Sequence, residues 1–362
     1  MGEKGVTTLM IAGGGTGGHI YPAIAIAREF VARDAARRVV FVGTARGLET
    51  QIVPKSGFPL ELIDVGGLKG MGGANVVRNV LRLPRGFVQA WSHISRHRPN
   101  VVLGVGGYSS GPVLVAAGMR GIPTIIHESN AFPGVTNRIL ARFATKVAVA
   151  FPSALPRAIV TGNPIRQEFF ENSGQRPTAN GKRRLLIFGG SQGSHVLNEL
   201  MSGALLFLAP LKDRLEIVHQ TGQRELERVQ ANYRASAFSS ARVVPYLDPI
   251  AGEVANADLV VSRAGAMTIG ELAAAGRASI LVPFAAATNN HQEINARVVE
   301  KAGGAIVITE SKLSPERLGL AITEVINDPD RAARMGAAAK TLAHPDATKK
   351  IVDLIELIQK TT

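Results

Sequence analysis

The chain has 362 residues, enough for two domains with separate cores, and it carries a net charge of +13 and no cysteine. The absence of cysteine excludes disulfides, thiolate metal sites and cysteine nucleophiles. We recognise neither a signal peptide nor an apolar stretch of about 18 residues, so we expect no membrane span.

Short apolar runs alternate with longer amphipathic stretches, a pattern that predicts parallel sheets covered by helices on both faces. The predicted strands are 7–12, 38–43, 59–64, 100–105, 122–127, 145–149, 158–161, 184–189, 214–219, 241–245, 258–262, 278–282 and 304–308. The Gly162-Asn163-Pro164 turn marks the predicted boundary between an N-terminal domain, 1–163, and a C-terminal domain, 164–344. Apolar positions at helical spacing near the end predict a helix over about 345–362 that packs back on the N-terminal domain.

Two similar glycine-rich turns follow predicted strands, at Gly13–His19 and Gly189–His195. Unpaired backbone N–H groups and the dipole at a helix N-terminus attract an anion, so the turns predict two similar α/β domains with a phosphorylated ligand between them. The first turn also matches the G-x-G-x-x-G of dinucleotide folds, but no acidic residue for a ribose stands at the end of the strand 38–43, over residues 41–46. Alternatively, the glycines only permit tight packing.

Polar residues at other predicted strand ends extend this hypothesis in the N-terminal half. His19 follows the first turn and is a candidate general base, because imidazole titrates near neutral pH; a structural hydrogen-bonded role is the alternative. The turn 106–112 offers Tyr108 to a ligand, or it is a plain turn. His127-Glu128-Ser129-Asn130 ends a strand at the same edge of the sheet.

The C-terminal half carries a second set of candidates. The segment 262–272 predicts a strand end, a turn whose N–H groups face a phosphate, and a helix start. Glu271 is placed to accept hydrogen bonds from two ribose hydroxyls, or it is an ordinary acid near a helix N-terminus. The polar loop 289–296 suits sugar hydroxyls.

A basic surface is predicted on the N-terminal half, since no Asp or Glu occurs from Val65 to His127. The basic residues of this stretch include Lys69, Arg78, Arg82, Arg85, Arg96, Arg98 and Arg120. Residues 74–91 resemble an interfacial amphipathic segment, with Val80, Leu81, Phe87 and Trp91 able to enter a membrane surface. The alternative is a core-facing helix with a basic solvent face, and Pro84 and Gly86 are expected to interrupt that helix.

The motifs together resemble the MurG family of N-acetylglucosaminyltransferases. They are Gly-Gly-Thr-Gly-Gly-His at 14–19, Gly-Gly-Tyr-x-Ser-Gly-Pro at 106–112, His-Glu-x-Asn at 127–130, Gly-Asn-Pro-x-Arg at 162–166, Gly-Gly-Ser-Gln-Gly at 189–193 and the segment 262–276. The resemblance implies a GT-B architecture, with two Rossmann-like domains whose parallel sheets face an interdomain cleft. It implies inverting transfer of GlcNAc from UDP-GlcNAc to lipid I, undecaprenyl-pyrophosphoryl-MurNAc-pentapeptide, in peptidoglycan synthesis.

The resemblance also assigns roles by matching position. The donor would contact Thr16, Gly17, Gly18, Asn130, Arg166, Ser191, Ile250, Met267, Thr268, Glu271 and Gln292. The acceptor would contact Thr16, His19, Tyr108 and Asn137, with His19 as the base and Glu128 as the second candidate. Ser129 stands where the family commonly has Gln, so we leave it out of the site.

No cofactor and no catalytic metal are expected, on the premise that the Asp-x-Asp cradle for a divalent ion is missing. The expected partners are UDP-GlcNAc, lipid I and an anionic membrane surface, and not nucleic acid. The expected location is peripheral, on the cytoplasmic face of the inner membrane. Two alternatives stay open, a UDP-GlcNAc 2-epimerase-like enzyme and a non-catalytic binder of nucleotide sugar or anionic lipid.

Overall fold

The computed structural model describes residues 7–15, 17–66, 73–171 and 181–360, of which 73–82, 288 and 360 are described by their backbone alone. The chain divides into two compact units, Met1–Pro164 with Asp346–Thr362, and Ile165–Pro345. Each unit contains one sheet of parallel strands covered by helices. Thr16 and Lys69 lie outside the described residues.

The first unit is built on a seven-stranded sheet. Its strands are β1 (Thr8–Ala12), β2 (Arg38–Gly43), β3 (Leu60–Leu62), β4 (Val101–Gly104), β5 (Thr124–Glu128), β6 (Lys146–Val149) and β7 (Ala158–Val160). The helices between them are α1 (Gly17–Ala32), α2 (Glu49–Lys55), α3 (Gly73–His97), α4 (Ser110–Met119) and α5 (Val135–Leu140). The parallel order is β3-β2-β1-β4-β5-β6-β7, so the winding reverses between β1 and β4. Ligands of open α/β sheets bind beyond the carboxyl ends of the strands at such a reversal.

β1 shows why these strands are uninterrupted apolar runs. Leu9 and Ile11 pack into one core cluster with side chains of α1, whereas Met10 and Ala12 pack into another with side chains of α4. Successive side chains of a strand point to opposite faces, so a strand covered on both faces has to be apolar at every position.

The second unit is built on a six-stranded sheet. After α6 (Glu168–Glu171) come β8 (Arg183–Phe188), β9 (Leu215–Gln220), β10 (Arg242–Val244), β11 (Leu259–Ser262), β12 (Ser279–Leu281) and β13 (Ala305–Val307). Its helices are α7 (His195–Leu208), α8 (Leu226–Arg234), α9 (Ile250–Asn256), α10 (Ala266–Ala275), α11 (His291–Lys301), α12 (Pro315–Asn327) and α13 (Pro329–Lys340). The parallel order is β10-β9-β8-β11-β12-β13, which places the reversal between β8 and β11.

The last helix, α14 (Ala347–Lys360), belongs to the first unit although it follows the second in sequence. Ile351, Ile355 and Ile358 are fully buried in the core cluster that contains Leu9 and Ile11. Arg33, the residue just after α1, adds ion pairs to α14, 2.6 Å to Asp353 and 3.1 Å to Glu356. Both faces of the first sheet are therefore covered.

The α/β fold expected from the sequence is confirmed strand by strand, because each of the 13 predicted runs overlaps one strand of the structure. The agreement follows from burial, since short apolar runs between amphipathic stretches are what a doubly covered sheet requires. Among the described helices, none is both long enough and apolar enough to span a bilayer.

The expected break at Pro84 and Gly86 is wrong, because α3 continues through both residues from Gly73 to His97. Proline removes one backbone hydrogen bond, which a helix of 25 residues tolerates. Gly86 permits close packing, since a Cβ there would lie 2.3 Å from Val65 Cγ1. Phe87 packs against the core, unlike the interfacial position expected for it, and the side chains of Arg78, Val80, Leu81 and Arg82 lie outside the described ones.

Candidate active site

The first glycine turn joins β1 to α1 and binds a carboxylate of the chain itself. Gly15 N donates to Oε2 of Glu49 over 2.7 Å, and Thr44 donates from its backbone N and Oγ1 to Oε1 over 2.9 and 3.0 Å. Glu49 is buried, and a Cβ at Gly14, Gly43 or Gly47 would overlap it. Part of the anion-binding capacity predicted for this turn is therefore used by Glu49.

Sequence reasoning missed Glu49, although a signal was present. Gly43 and Gly47 flank the segment before Glu49, which is the first acid after β2. Only the pairing of β1 with β2 shows that these glycines and the first turn surround one carboxylate.

His19 lies in the first turn of α1. One of its ring nitrogens is hydrogen-bonded to the backbone, and the other can face a ligand. Nδ1 is 3.1 Å from the carbonyl oxygen of Gly14, and because a carbonyl only accepts, Nδ1 carries the proton. The lone pair of neutral His19 is therefore on Nε2. Gly106 has a φ of 95° and lies against the ring, where a Cβ would be 2.9 Å from Nε2. This is the tautomer that a general base needs.

The turn after β4 packs on the first glycine turn. The buried Ser110 Oγ bonds to the carbonyl oxygens of Ala12 and Gly106 over 2.8 and 2.9 Å, which joins the carboxyl ends of β1 and β4. A Cβ at Gly107 would lie 2.6 Å from Gly14 O, so only glycine allows this approach. Tyr108 follows with its side chain exposed. Tyr108 and His19 thus flank the strand reversal of this sheet, and Gly17 and Gly18 lie beside His19 in the first turn of α1.

Glu128 ends β5, is buried, and accepts four hydrogen bonds. Oε1 accepts from N and Nδ2 of Asn130 at 2.9 and 3.2 Å, and Oε2 accepts from Gly134 N and Asn137 Nδ2 at 3.0 and 2.8 Å. A carboxylate has about four lone-pair positions, so none remains for a substrate proton. Glu128 holds the loop between β5 and α5, and Asn137 is buried with its amide directed to that carboxylate.

His127 is a core residue. It is buried, and burial lowers its pKa to about 4, against the opposing effect of the Gly162 carbonyl and the Glu128 charge. Nε2 lies 3.3 Å from the carbonyl oxygen of Gly162, which follows β7, the last strand of the first unit. His127 is therefore neutral and structural at physiological pH.

The second glycine turn joins β8 to α7 and is open. Gly193 N donates to Gly190 O over 2.9 Å, and Gln220 Nε2 donates to the same oxygen over 2.7 Å. Gly193 has a φ of 75°, and a Cβ there would lie 1.9 Å from Thr221 O. Ser191 is exposed at the tip. Within the described part of the chain, no side-chain carboxylate accepts from the amides of this turn, unlike the first.

Arg263 was also missed by sequence reasoning, and it holds the second turn in place. It is buried, and Nε donates to Oγ of Ser194, the N-cap of α7, over 3.0 Å. Nη1 reaches the carbonyl oxygens of Val282 and Pro283 and pairs with Glu310 at 2.5 Å. The sequence did carry a signal for its role, because Arg263 is a charged residue directly after the apolar run of β11. Its guanidinium links the carboxyl ends of β8, β11 and β12.

The start of α10 brings Met267, Thr268 and Glu271 to the same edge of the sheet. The first helical hydrogen bond is from Ile269 N to Gly265 O, so the amides of Met267 and Thr268 lie at the open end of the helix. Arg166 Nη2 is 3.5 Å from Glu271 Oε1, and its Nη1 is 2.8 Å from Glu168. Burial raises the pKa of Glu271 to about 7, although Arg166 opposes the rise.

Gln292 joins the loop after β12 to the turn after β11. Its Oε1 accepts from Ala264 N and Phe284 N over 3.2 and 3.0 Å, which fixes the side chain and leaves the two Nε2 hydrogens for a ligand. Ile250 is the first residue of α9 and is half-buried. Because β8, β11 and β12 are neighbours, Ser191, the 263–268 turn and Gln292 lie beyond adjacent strand ends.

The premise for expecting no catalytic metal needs correction, because Asp328-Pro329-Asp330 is an Asp-x-Asp sequence. In the structure it starts α13, where Asp328 Oδ1 accepts from Arg331 N over 2.8 Å and Oδ2 lies 3.8 Å from Arg334. The motif therefore caps a helix.

Comparison with known proteins assigns both halves of the chain. Residues 9–149 match the glycosyltransferase family 28 N-terminal domain, and residues 184–351 match the glycosyltransferase family 28 C-terminal domain. The UDP-N-acetylglucosamine–N-acetylmuramyl-(pentapeptide) pyrophosphoryl-undecaprenol N-acetylglucosamine transferase of Anaeromyxobacter sp. (strain K) is 48% identical over 97% of this chain and 93% of its own.

Solved structures agree with this assignment. MurG of Acinetobacter baumannii superposes with a TM-score of 0.81 at 31% identity, over 97% of this chain and 99% of its own. A solved UDP-N-acetylglucosamine 2-epimerase superposes with a TM-score of 0.66 at 12% identity, over 99% and 97% of the two chains, which shows a shared fold alone. The chain is therefore a glycosyltransferase of the GT-B fold and belongs to the MurG family of N-acetylglucosamine transferases within glycosyltransferase family 28.

Proposed function

We propose that this chain transfers GlcNAc from UDP-GlcNAc to the C4 hydroxyl of MurNAc in undecaprenyl-pyrophosphoryl-MurNAc-pentapeptide, converting lipid I to lipid II in peptidoglycan synthesis. The observation that carries the proposal is the contrast between the two glycine turns. The second is open, near Glu271 and Gln292, whereas the first is occupied by Glu49 and followed by His19, whose Nδ1 is bonded to the Gly14 carbonyl. A nucleotide sugar fits the open turn, and a hydroxyl-bearing acceptor fits the other.

The donor binds on the second unit in this proposal. The amides of the 189–193 turn and of Met267 and Thr268 face its diphosphate, because amides at helix N-termini stabilise anions. Ionised Glu271 accepts hydrogen bonds from the two ribose hydroxyls. The free Nε2 of Gln292 donates to a sugar hydroxyl, and Ile250 lies against the nucleotide.

The acceptor hydroxyl loses its proton to His19 Nε2 as its oxygen attacks the anomeric carbon and the bond from that carbon to the UDP oxygen breaks. One in-line displacement inverts the anomeric configuration without a covalent enzyme intermediate. Glu128 is not the base in this mechanism, because its four lone-pair positions are filled. It positions Asn130 and Asn137, and Tyr108 contributes an exposed phenol to the acceptor side.

The negative charge that develops on the leaving UDP is stabilised by the amides of the second turn and by Arg166. Preorganised donors of this kind stabilise charge formed in a transition state without reorganisation. We propose that no metal ion is needed for this step. Thr16, Gly17 and Gly18 complete the proposed contacts, with Gly17 and Gly18 at the open end of α1.

A peripheral position on the cytoplasmic face of the inner membrane follows from the acceptor, whose lipid tail stays in the bilayer. α4 packs against α3 and α5, and these three helices expose large apolar side chains. They are Val88, Trp91, Val115, Met119, Ile139 and, just after α5, Phe143. Arg85, Arg120, Arg138 and Arg142 are exposed on or beside the same helices, which suits an anionic surface and needs no nucleic acid partner.

One assay tests the proposed function against its alternatives. Labelled UDP-GlcNAc is incubated with the protein, with and without a lipid I analogue, and UDP and sugar products are separated. Release of UDP that depends on the acceptor supports transfer. Isomerisation of UDP-GlcNAc without acceptor supports the epimerase alternative, and binding without either product supports a non-catalytic binder.

A further inference from the structure

Two histidines and a glutamate converge outside the candidate active site. Glu61 is in the edge strand β3, and His93 and His97 are one turn apart near the end of α3. Side chains four residues apart lie on the same face of a helix. Their ligand atoms all lie within 4.8 Å of one another, and all three side chains are partly buried. None of the residues assigned to donor or acceptor lies on β3 or α3.

His93 is oriented as a ligand by its second nitrogen. Nε2 lies 3.2 Å from the carbonyl oxygen of Leu62, which only accepts, so Nε2 carries a proton. Nδ1 is buried and makes no hydrogen bond, although Glu61 Oε2 is 3.3 Å away. In neutral His93, Nδ1 therefore presents a lone pair to the carboxylate oxygen, and the two repel each other unless a cation lies between them. Metal-binding histidines share this arrangement, with the other ring N–H held by a carbonyl or carboxylate.

His97 supplies the third group. Its Nε2 lies 2.7 Å from Glu61 Oε1, on the other oxygen of the same carboxylate. Around a tetrahedral zinc ion with bonds of about 2.0–2.1 Å, two ligand atoms are about 3.3 Å apart. The pair Glu61 Oε2 and His93 Nδ1 already has this separation. His97 now contacts the other oxygen, Oε1, so the carboxylate or the His97 ring has to turn for one oxygen to share the ion with both histidines.

We propose that Glu61, His93 and His97 bind one divalent transition-metal ion of the zinc class, with water as the fourth ligand. Two imidazoles and one carboxylate are a donor set that zinc accepts, whereas magnesium and calcium prefer oxygen alone. The ion joins the edge strand β3 to the last turn of α3. Arg96 Nη1 lies 3.4 Å from Glu61 Oε1 and competes with the ion, but its side chain is 61% exposed and free to turn into water.

The test uses the full chain without an affinity tag, stripped with a chelator and titrated with Zn²⁺ alone by calorimetry. The double variant His93→Gln/His97→Gln removes both nitrogen ligands and keeps polar, neutral side chains. The matched control is His195→Gln, which removes a histidine that pairs with a single glutamate, Glu225, on the second unit. We expect one zinc ion per chain for the wild type and the control, and an affinity at least about 100-fold weaker for the double variant.

Thermal unfolding gives a second readout. At free zinc about 100 times its Kd, the melting temperature should rise by about 5 °C in the wild type and the control only. A second variant, Arg96→Ala, covers the case in which the double variant does not fold. This variant should bind zinc more tightly than the wild type, because Arg96 no longer competes for Glu61. The proposal would be overturned if the wild type did not bind one zinc ion per chain, or if the folded double variant bound zinc as well as the wild type. If the double variant misfolds, unchanged zinc binding by Arg96→Ala would overturn it.

Discussion

The carboxylate of Glu49 accepts a hydrogen bond from the amide of Gly15 over 2.7 Å, so the first glycine turn is held by a residue that follows it by 34 positions. The second turn has no described carboxylate in this position. Two turns with nearly the same sequence therefore differ in what they can bind.

Glu49→Gln should destabilise the first unit. The amide would place an NH2 group against a backbone N–H that now has a carboxylate acceptor, and an unsatisfied buried donor costs about 1–3 kcal/mol of unfolding free energy. Urea unfolding measures the loss, with Glu29→Gln as the control because Glu29 is a partly exposed partner of Arg33. We also expect a higher KM for the acceptor. Equal stability of the two variants would remove Glu49 from this role.

His19→Ala should lower kcat by about 10²–10⁴-fold if Nε2 takes the acceptor proton. The informative comparison is His19→Asn, whose amide N–H can replace Nδ1 at the Gly14 carbonyl but which offers no base. Both variants should be equally slow while binding UDP-GlcNAc normally. Recovery of turnover in His19→Asn would mean that His19 only holds the turn.

Binding of UDP-GlcNAc should release protons near neutral pH through Glu271. The pKa of Glu271 in the free protein is about 7, raised by burial. Ribose hydroxyls that donate to the carboxylate favour its charged form, so the pKa falls on binding. Affinity should then increase as pH rises towards 7 and level off above it.

Calorimetry in two buffers of different ionisation enthalpy measures this proton release. UDP-GlcNAc suits the experiment better than UDP because its diphosphate has no terminal phosphate that titrates near pH 6. Glu271→Gln should abolish the release, whereas Glu293→Gln on α11 should not. The same proton count in Glu271→Gln as in the wild type would contradict the assignment.

EDTA should leave turnover unchanged, because amides and Arg166 are proposed to stabilise the leaving diphosphate. Initial rates of acceptor-dependent UDP release, before and after chelation and gel filtration, measure this. Complete loss of activity that only a divalent ion restores would defeat the metal-free mechanism. Chelation should also remove the zinc ion proposed at Glu61, which should lower the melting temperature without lowering kcat.

Arg78→Glu/Arg82→Glu/Arg85→Glu should weaken sedimentation with anionic vesicles by about 100-fold or more at low salt, since each arginine near such a surface contributes about 1 kcal/mol. The attraction should also fall with salt, because exposed charges are screened. A charge-matched control changes three exposed arginines of the second unit, Arg224, Arg228 and Arg234. Equal vesicle binding by both triple variants would exclude the α3 segment as the docking surface.

The strands could be predicted from the sequence, whereas several site contacts could not. Burial on both faces makes a run such as Leu9–Ala12 apolar at each position, and this is visible without coordinates. The position of Glu49 depends on how β1, β2 and α2 meet, and no local pattern encodes that. The four donors to Glu128 include Asn137, nine residues away, whose position depends on the loop path.

The wrong prediction of a break in α3 has the same cause, since it rested on local preferences alone. Pro84 and Gly86 weaken a helix locally, which is what the sequence shows. The contact of Gly86 with Val65 and the packing of Phe87 are tertiary, and they outweigh the local preference.

The position of α14 has a consequence for biosynthesis. Because Ile351, Ile355 and Ile358 complete the core beneath β1, the first unit lacks part of its interior until α14, which follows the whole second unit in sequence, has left the ribosome. The second unit, Ile165–Pro345, is contiguous and finishes earlier. Of the two units, the one whose synthesis begins earlier is therefore completed later, and a fragment ending at Pro164 would expose the apolar groove that α14 covers.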